Sequence, residues 1–101
     1  MKTTITEFVQ IRTFETTTDN QLFDRADAVV NFLKNQDGCL DAELVKGPTG
    51  TTWCFIFHYE NMEKVKDIAE KMRSCEEFEA LKSLLLPGSL EVSFFSQQKK
   101  W

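Results

Sequence analysis

Residues 39–59 read CLDAELVKGPTGTTWCFIFHY, and the predicted fold depends on this stretch more than on any other. Its centre, Gly47-Pro48-Thr49-Gly50, has the composition of a tight turn. Apolar and polar residues alternate on both sides of the turn, which is typical of strands with two unlike faces. The stretch therefore predicts a β-hairpin with strands over residues 39–46 and 51–59, joined by a four-residue loop.

The register of this hairpin is predicted by pairing the two residues that flank the loop. Opposed residues of an antiparallel pair share a face, so Leu44 would lie beside Trp53 and Ala42 beside Phe55. One face is then almost wholly apolar and is predicted to pack against helices: Leu40, Ala42, Leu44, Trp53, Phe55, Phe57 and Tyr59. The other face is mixed: Cys39, Asp41, Glu43, Val45, Cys54, Ile56 and His58.

The segments around the hairpin supply two more strands and the helices. Residues 5–14 alternate as a strand, with Glu7 on a side that is otherwise apolar. Apolar residues recur at helical spacing between this strand and the hairpin, and again after Asn61, which can cap a second helix. Residues 74–77 read SCEE, the pattern of a capping box that restarts a short helix. Residues 90–95 alternate as a last strand.

The element order β-α-β-β-α-β predicts an α+β fold of the ferredoxin-like type. Its compact arrangement is a four-stranded antiparallel sheet in the order 4-1-3-2 with both helices on one face. A chain of 101 residues is long enough for one such domain. We predict that domain over residues 1–96 and a C-terminal tail over residues 97–101.

Composition and charge exclude several classes of function. The net charge is −4 and the sequence has no basic patch, so we expect neither nucleic acid nor an anionic membrane as a partner. No apolar run is long enough to span a membrane. The three cysteines, Cys39, Cys54 and Cys75, have neither disulfide nor zinc-site spacing, which predicts reduced thiols, a cytoplasmic location and no bound metal.

The mixed face of the sheet is too apolar to face water. Phe8, Ile56 and Phe95 lie on it together with Arg12, and large apolar side chains grouped in this way are unfavourable on a monomer. A second copy of the same sheet would cover them. The sequence therefore predicts a homodimer with these four residues in the interface.

Three short segments carry a family resemblance over roughly residues 5–95. They are DGCL at residues 37–40, FIFHYENMEK at residues 55–64 and SCEEF at residues 74–78. In their order and spacing they resemble the antibiotic-biosynthesis-monooxygenase (ABM) domains of the dimeric α/β-barrel superfamily. The resemblance implies a barrel formed by two sheets and a cofactor-independent oxygenase that acts on a small aromatic or quinone-like compound.

The chain departs from the ABM pattern at positions that matter for chemistry. Tyr59 stands where many ABM domains have tryptophan, and Ile68 where they often have histidine. The haem-degrading branch would need asparagine, tryptophan and histidine near Glu7, Ile68 and Lys82, and none matches. We therefore expect no haem and no other cofactor.

Three residues are candidates for catalysis, namely Glu7, His58 and Tyr59. His58 is the one histidine of the chain, and Glu7 would have a raised pKa if it were buried. Trp53 and Phe57 are predicted to line a pocket together with Tyr59, because aromatic walls suit a flat organic ligand. The alternative to an enzyme is a non-catalytic homodimer that binds a small ligand or another protein. For every one of these residues a purely structural role is the competing interpretation.

Overall fold

A four-stranded antiparallel sheet lies at the centre of the computed structural model, which describes residues 3–101. Its strands are β1 (Ile5–Arg12), β2 (Cys39–Lys46), β3 (Thr52–Tyr59) and β4 (Glu91–Ser96). They are arranged in the order β2-β3-β1-β4, which is the predicted order read from the other edge. The helices are α1 (Asp19–Lys34), α2 (Met62–Met72) and α3 (Glu76–Lys82). The predicted ferredoxin-like fold is thus confirmed.

The longer helices begin at residues whose side chains satisfy the first free backbone N–H groups. Thr18 caps α1 in a full capping box, in which its hydroxyl accepts from the Gln21 N–H at 3.1 Å. Asn61 caps α2 as predicted, and its Oδ1 accepts from the Lys64 N–H at 3.0 Å. Both caps position an apolar helix face against the sheet.

The cap of α3 differs from the prediction by one residue. Cys75, and not Ser74, is the N-cap, and no side-chain hydrogen bond closes the cap. The Cys75 thiol instead contacts the carboxylate of Glu77, with Sγ 3.3 Å from Oε2. The predicted capping box is therefore wrong, although the short helix that it predicted is present.

The predicted hairpin forms, but its register is shifted by two residues. Leu44 lies opposite Phe55 rather than Trp53, and Ala42 opposite Phe57 rather than Phe55. The cause is a wider turn, which the Gly47 N–H closes by donating to the Thr52 carbonyl at 2.6 Å. A shift of two residues leaves every side chain on its predicted face, because the side-chain period of a strand is two.

A β-bulge between Cys39 and Asp41, in contrast, moves the side chains at the beginning of β2 to the opposite face of the sheet. Cys39 lies opposite Tyr59 and packs against the core, whereas Leu40 is 50% exposed. The prediction had placed Leu40 in the core and Cys39 on the mixed face, and both assignments are wrong. The extra residue of the bulge reverses the alternation of side chains on the N-terminal side of Asp41.

The end of β1 also differs from the prediction. The strand stops at Arg12, and Thr13 forms an isolated bridge with Leu85. Because the Leu86 N–H donates to the Arg12 carbonyl at 2.8 Å, the loop before β4 is fixed against this end of the sheet. Phe14, which the predicted strand over residues 5–14 includes, lies beyond the end of β1.

The core fills the space between one face of the sheet and the helices. Its members come from β1, β3, α1, α2 and α3, with Ile11, Leu22 and Phe55 each 2% exposed or less. All six residues of β4, in contrast, are exposed.

Residues 1 and 2, which fall within the predicted domain, lie outside the described residues. Within residues 3–101, no helix combines the length and the hydropathy that a membrane crossing requires.

Candidate functional site

A cavity of about 470 Å³ lies between the sheet and the three helices. Side chains from β1, β3 and β4 form its floor, and all three helices contribute to its walls. Most of the wall is apolar, with the aromatic residues Phe55, Phe57, Phe78 and Phe94 among the lining residues. A concave, mainly apolar cavity of this size with a few polar groups is typical of sites for small organic ligands.

Two polar side chains of this wall, Glu7 and Tyr59, form a hydrogen-bonded pair. The phenol of Tyr59 donates to Glu7 Oε1 over a distance of 2.7 Å. Glu7 lies opposite Phe57 on one side and Phe94 on the other, and Tyr59 lies opposite Ile5. The pair is therefore a diagonal contact between adjacent strands, within an apolar part of the sheet.

The surroundings of the pair favour the neutral form of both groups. Burial raises the pKa of Glu7 above its ordinary value of 4.5, and the hydrogen bond from Tyr59 offsets part of that increase. Burial also raises the pKa of Tyr59, and the nearby charge of Glu7 adds to the effect. Tyr59 thus keeps its proton at any physiological pH, and Glu7 is the group of the pair that can change protonation state.

The sequence suggested both members of this pair but not their contact. The predicted place of Glu7, on the apolar side of the sheet that faces the helices, agrees with the structure. His58 lies on the opposite face, where its Nδ1 is 3.1 Å from the hydroxyl of Thr6 and its Nε2 is 3.7 Å from Asp41. The cavity and the histidine are therefore separated by the sheet.

Two of the three residues predicted to line a pocket lie at the cavity, and the third does not. Phe57 and Tyr59 lie in the wall of the cavity. Trp53 does not, because it lies at the far end of β3, where its ring meets Phe23 edge-on at 5.8 Å and Lys46 lies over it at 4.9 Å. Trp53 is 4% exposed and belongs to the core.

Three charged residues of the cavity wall were not singled out as pocket residues from the sequence. Arg73, Glu79 and Lys82 come from the end of α2 and from α3. Lys82 pairs with Glu79 at 2.7 Å, and Arg73 pairs with Glu70 at 3.5 Å. The two residues of each pair are three positions apart, a spacing that is common among charged residues on the exposed face of a helix. The sequence pattern alone therefore does not distinguish these residues from an ordinary solvated surface.

The residues predicted for the interface lie on the mixed face. Phe8 and Phe95 meet edge-on with ring centroids 5.5 Å apart, and Phe95 is 59% exposed. Ile56 lies opposite Phe8, and Arg12 is exposed at the end of β1. Nowhere in residues 3–101 are three or more His, Cys, Asp or Glu side chains grouped so as to hold a metal ion.

Comparisons with known proteins agree with this architecture. No family model matches the sequence, and no curated protein matches it. Solved structures do. SnoaB, a cofactor-independent oxygenase from Streptomyces nogalater, superimposes with a TM-score of 0.82 at 11% identity, over 96% of this chain and 95% of that one. The chain has the same fold as this oxygenase.

Two further structures with this fold span nearly the whole chain. One is the monooxygenase ActVA-Orf6 of Streptomyces coelicolor, solved with the ligand nanaomycin D, with a TM-score of 0.74, 18% identity and coverage of 98% of this chain and 91% of that one. The other is a Caulobacter crescentus CB15 protein provisionally classed as an antibiotic biosynthesis monooxygenase. Its TM-score is 0.74 at 13% identity, over 97% of this chain and 92% of that one.

The carboxyl groups of this cavity come from the sheet and from α3 rather than from α2. Ile68, which stands where many ABM domains have a histidine, lines the cavity and is 3% exposed. Two carboxyl groups line the cavity: Glu7 on β1, in apolar surroundings, and Glu79 on α3, which pairs with Lys82. Among residues 3–101, Glu7 is therefore the carboxyl group of the cavity that has no cationic partner, and it comes from the sheet rather than from α2.

Proposed function

We propose that this chain is a cofactor-independent monooxygenase that acts on a small aromatic or quinone-like compound bound in the cavity. The observation that carries the proposal is the Glu7–Tyr59 pair in the wall of an apolar cavity of about 470 Å³, within an ABM fold. Two of the proteins with this fold, SnoaB and ActVA-Orf6, are an oxygenase and a monooxygenase.

The chemistry requires few groups from the protein. When a phenol is oxidised to a quinone by O₂, the ring gains one oxygen atom and loses one C–H and one O–H bond. The second oxygen atom leaves as water, and the substrate supplies all four electrons. The protein has to hold the ring, orient its hydroxyl and limit the access of water. Apolar walls and one carboxyl group are suited to these tasks.

We also propose that the chain acts as a homodimer in the cytoplasm, with residues 1–96 as the domain. The support for a dimer is the mixed face of the sheet. Phe95 on that face is 59% exposed and meets Phe8 edge-on. Covering large apolar side chains of this kind contributes on the order of 1.5–3 kcal/mol for each one fully buried.

A non-catalytic ligand-binding dimer is the second candidate. Ile68 favours it, because an apolar side chain occupies the helix position from which many ABM domains present a histidine. The same cavity would then bind an aromatic ligand without turnover. The two candidates differ in whether oxygen is consumed.

Oxygen uptake with a panel of phenols and hydroquinones tests the proposal. The wild type should consume O₂ faster than buffer with at least one compound, and the product should contain one atom of oxygen from ¹⁸O₂. Tyr59→Phe should lower that rate, because it leaves Glu7 without its hydrogen-bond donor. Glu15→Gln removes a carboxylate from an exposed turn and should retain the wild-type rate. If the rates of oxygen uptake by the wild type and by Tyr59→Phe both equal that of buffer across the panel, the proposed oxygenase activity is rejected.

A further inference from the structure

One oxygen atom of Glu7 remains available after its contact with Tyr59. Oε1 accepts from the phenol, and in residues 3–101 Oε2 has no hydrogen-bond partner. No fully buried side-chain oxygen or nitrogen in that part of the chain lacks a partner. Because Oε2 has no partner, it is not one of the fully buried atoms. It is therefore accessible to a molecule in the cavity that Glu7 lines.

The protein itself supplies no donor for this oxygen. Tyr59 already donates its one proton to Oε1. The two cationic residues of the cavity, Arg73 and Lys82, are paired with Glu70 and Glu79. The neighbours of Glu7 across the strands are Phe57 and Phe94, which have no polar atoms in their side chains.

The rings around this acceptor favour a flat partner. Phe57 stacks on Phe55 with an interplanar angle of 8° and centroids 5.5 Å apart, and Phe94 flanks Glu7 on the other side. A planar ligand can lie against such rings while a substituent reaches the carboxyl group. A carboxylate substituent would bring a further ionised group into the apolar surroundings of Glu7, which is unfavourable.

We propose that the cavity selects aromatic ligands with a hydroxyl group, which donates to Oε2 of Glu7, and rejects aromatic ethers and unsubstituted rings of the same shape. This rests on the proposed function, since it specifies the substrate class of the same cavity. It requires only binding, so it stands or falls independently of turnover. Glu7 is then the residue that contacts the hydroxyl of the ligand, and Tyr59 is a positioning residue that orients the Glu7 carboxyl group.

Titration calorimetry with three matched probes tests the selection. The probes are 2-naphthol, 2-methoxynaphthalene and naphthalene, which share one ring system, and naphthalene controls for the added bulk of the methyl group. The wild type should bind 2-naphthol roughly tenfold more tightly than either of the others, as expected for one hydrogen bond to an acceptor that otherwise has no partner. A difference below about twofold, or no binding by any probe, overturns the proposal.

Variants at two glutamates identify the acceptor. Glu7→Leu should bring the dissociation constants of the three probes to within about twofold of each other, whereas Glu15→Gln should retain the preference for 2-naphthol. A preference that persists in folded Glu7→Leu would assign the hydroxyl to another group and contradict the proposal. If Glu7→Leu folds poorly, the comparison of the three probes on the wild type still decides the proposal, because it needs no variant. Selective binding without oxygen uptake would reject the oxygenase and leave this inference intact.

Discussion

Tyr59 and Glu7 are hydrogen-bonded at 2.7 Å, although 51 residues separate them in the sequence and neither lies directly opposite the other in the strand register. The contact joins the end of one strand to the middle of its neighbour. It places an ionisable group in an otherwise apolar part of the cavity floor. The stability of the fold should therefore depend on pH in a way that reports on this pair.

Glu7→Gln should stabilise the chain at high pH. The pKa of Glu7 is raised in the folded state, so its contribution to stability is full below the unfolded value near 4.5 and is lost as the pH rises through the folded value. Glutamine keeps an acceptor for Tyr59 but cannot ionise. Thermal unfolding at pH 8 and pH 4 should show a gain in Tm of a few degrees at pH 8 and a smaller one at pH 4. Glu15→Gln, in an exposed turn, is the control, and an equal gain at both values of pH would contradict the expectation.

Tyr59→Phe should destabilise the chain, because it removes the donor that satisfies Glu7. The expected loss is about 1–2 kcal/mol in the free energy of unfolding, measured by urea denaturation. The loss should be larger at pH 8 than at pH 4, since the hydrogen bond favours the ionised form of Glu7. In the Glu7→Gln background, the same substitution should cost less at pH 8. Additive costs in this double-mutant cycle would show that the two groups are not coupled.

Gly38→Ala should destabilise the connection between α1 and β2. Gly38 has φ 101°, and an added Cβ would lie 2.5 Å from Cβ of Lys64, whose ammonium group pairs with Asp37. We expect a loss of roughly 2–3 kcal/mol, from backbone strain and from the displaced helix together. Gly50→Ala is the control, because Gly50 also has a positive φ but faces open space. Its cost in chemical denaturation should be clearly smaller, and equal costs would exclude the contact with Lys64 as a cause.

A charge on the mixed face should separate the proposed dimer. Ile56→Glu and Phe95→Glu each place a carboxylate within the predicted interface, next to Phe8. Light scattering at micromolar concentration should give twice the chain mass for the wild type and a single chain mass for both variants. Met62→Glu changes an exposed apolar residue of α2 and should retain the wild-type mass. A monomeric wild type would refute the dimer.

Much of the fold could be predicted because its signals are local. Alternation in β1 and β3, helical spacing in α1 and α2 and the cap at Asn61 each depend on residues close together in the sequence. The errors lie where the pairing of neighbouring strands, and not the local pattern, determines the geometry. The turn closed by Gly47 and Thr52 shifted the register, and the bulge at Leu40 has no distinct sequence pattern.

The site was harder to predict than the fold for the same reason. The sequence identifies Glu7 as a carboxyl group on an apolar strand face and Tyr59 as a pocket aromatic, yet their contact depends on the exact pairing of β1 with β3. Trp53 was assigned to a pocket because aromatic side chains in cores and in cavities look alike in sequence. A core aromatic differs from a cavity aromatic in whether the helices leave open space beside its ring. That space depends on how the helices pack against the sheet.

The two edges of the sheet differ in their capacity to recruit another strand. On β2 the bulge interrupts regular pairing, and the charged Asp41 and Glu43 lie just beyond it, features by which natural proteins prevent uncontrolled strand addition. On β4 the pairing with β1 is regular, its one charged residue is Glu91 at the beginning of the strand, and all six residues are exposed. If a new strand can add at only one of its two edges, the sheet cannot propagate into a fibril, and growth stops once two such edges meet.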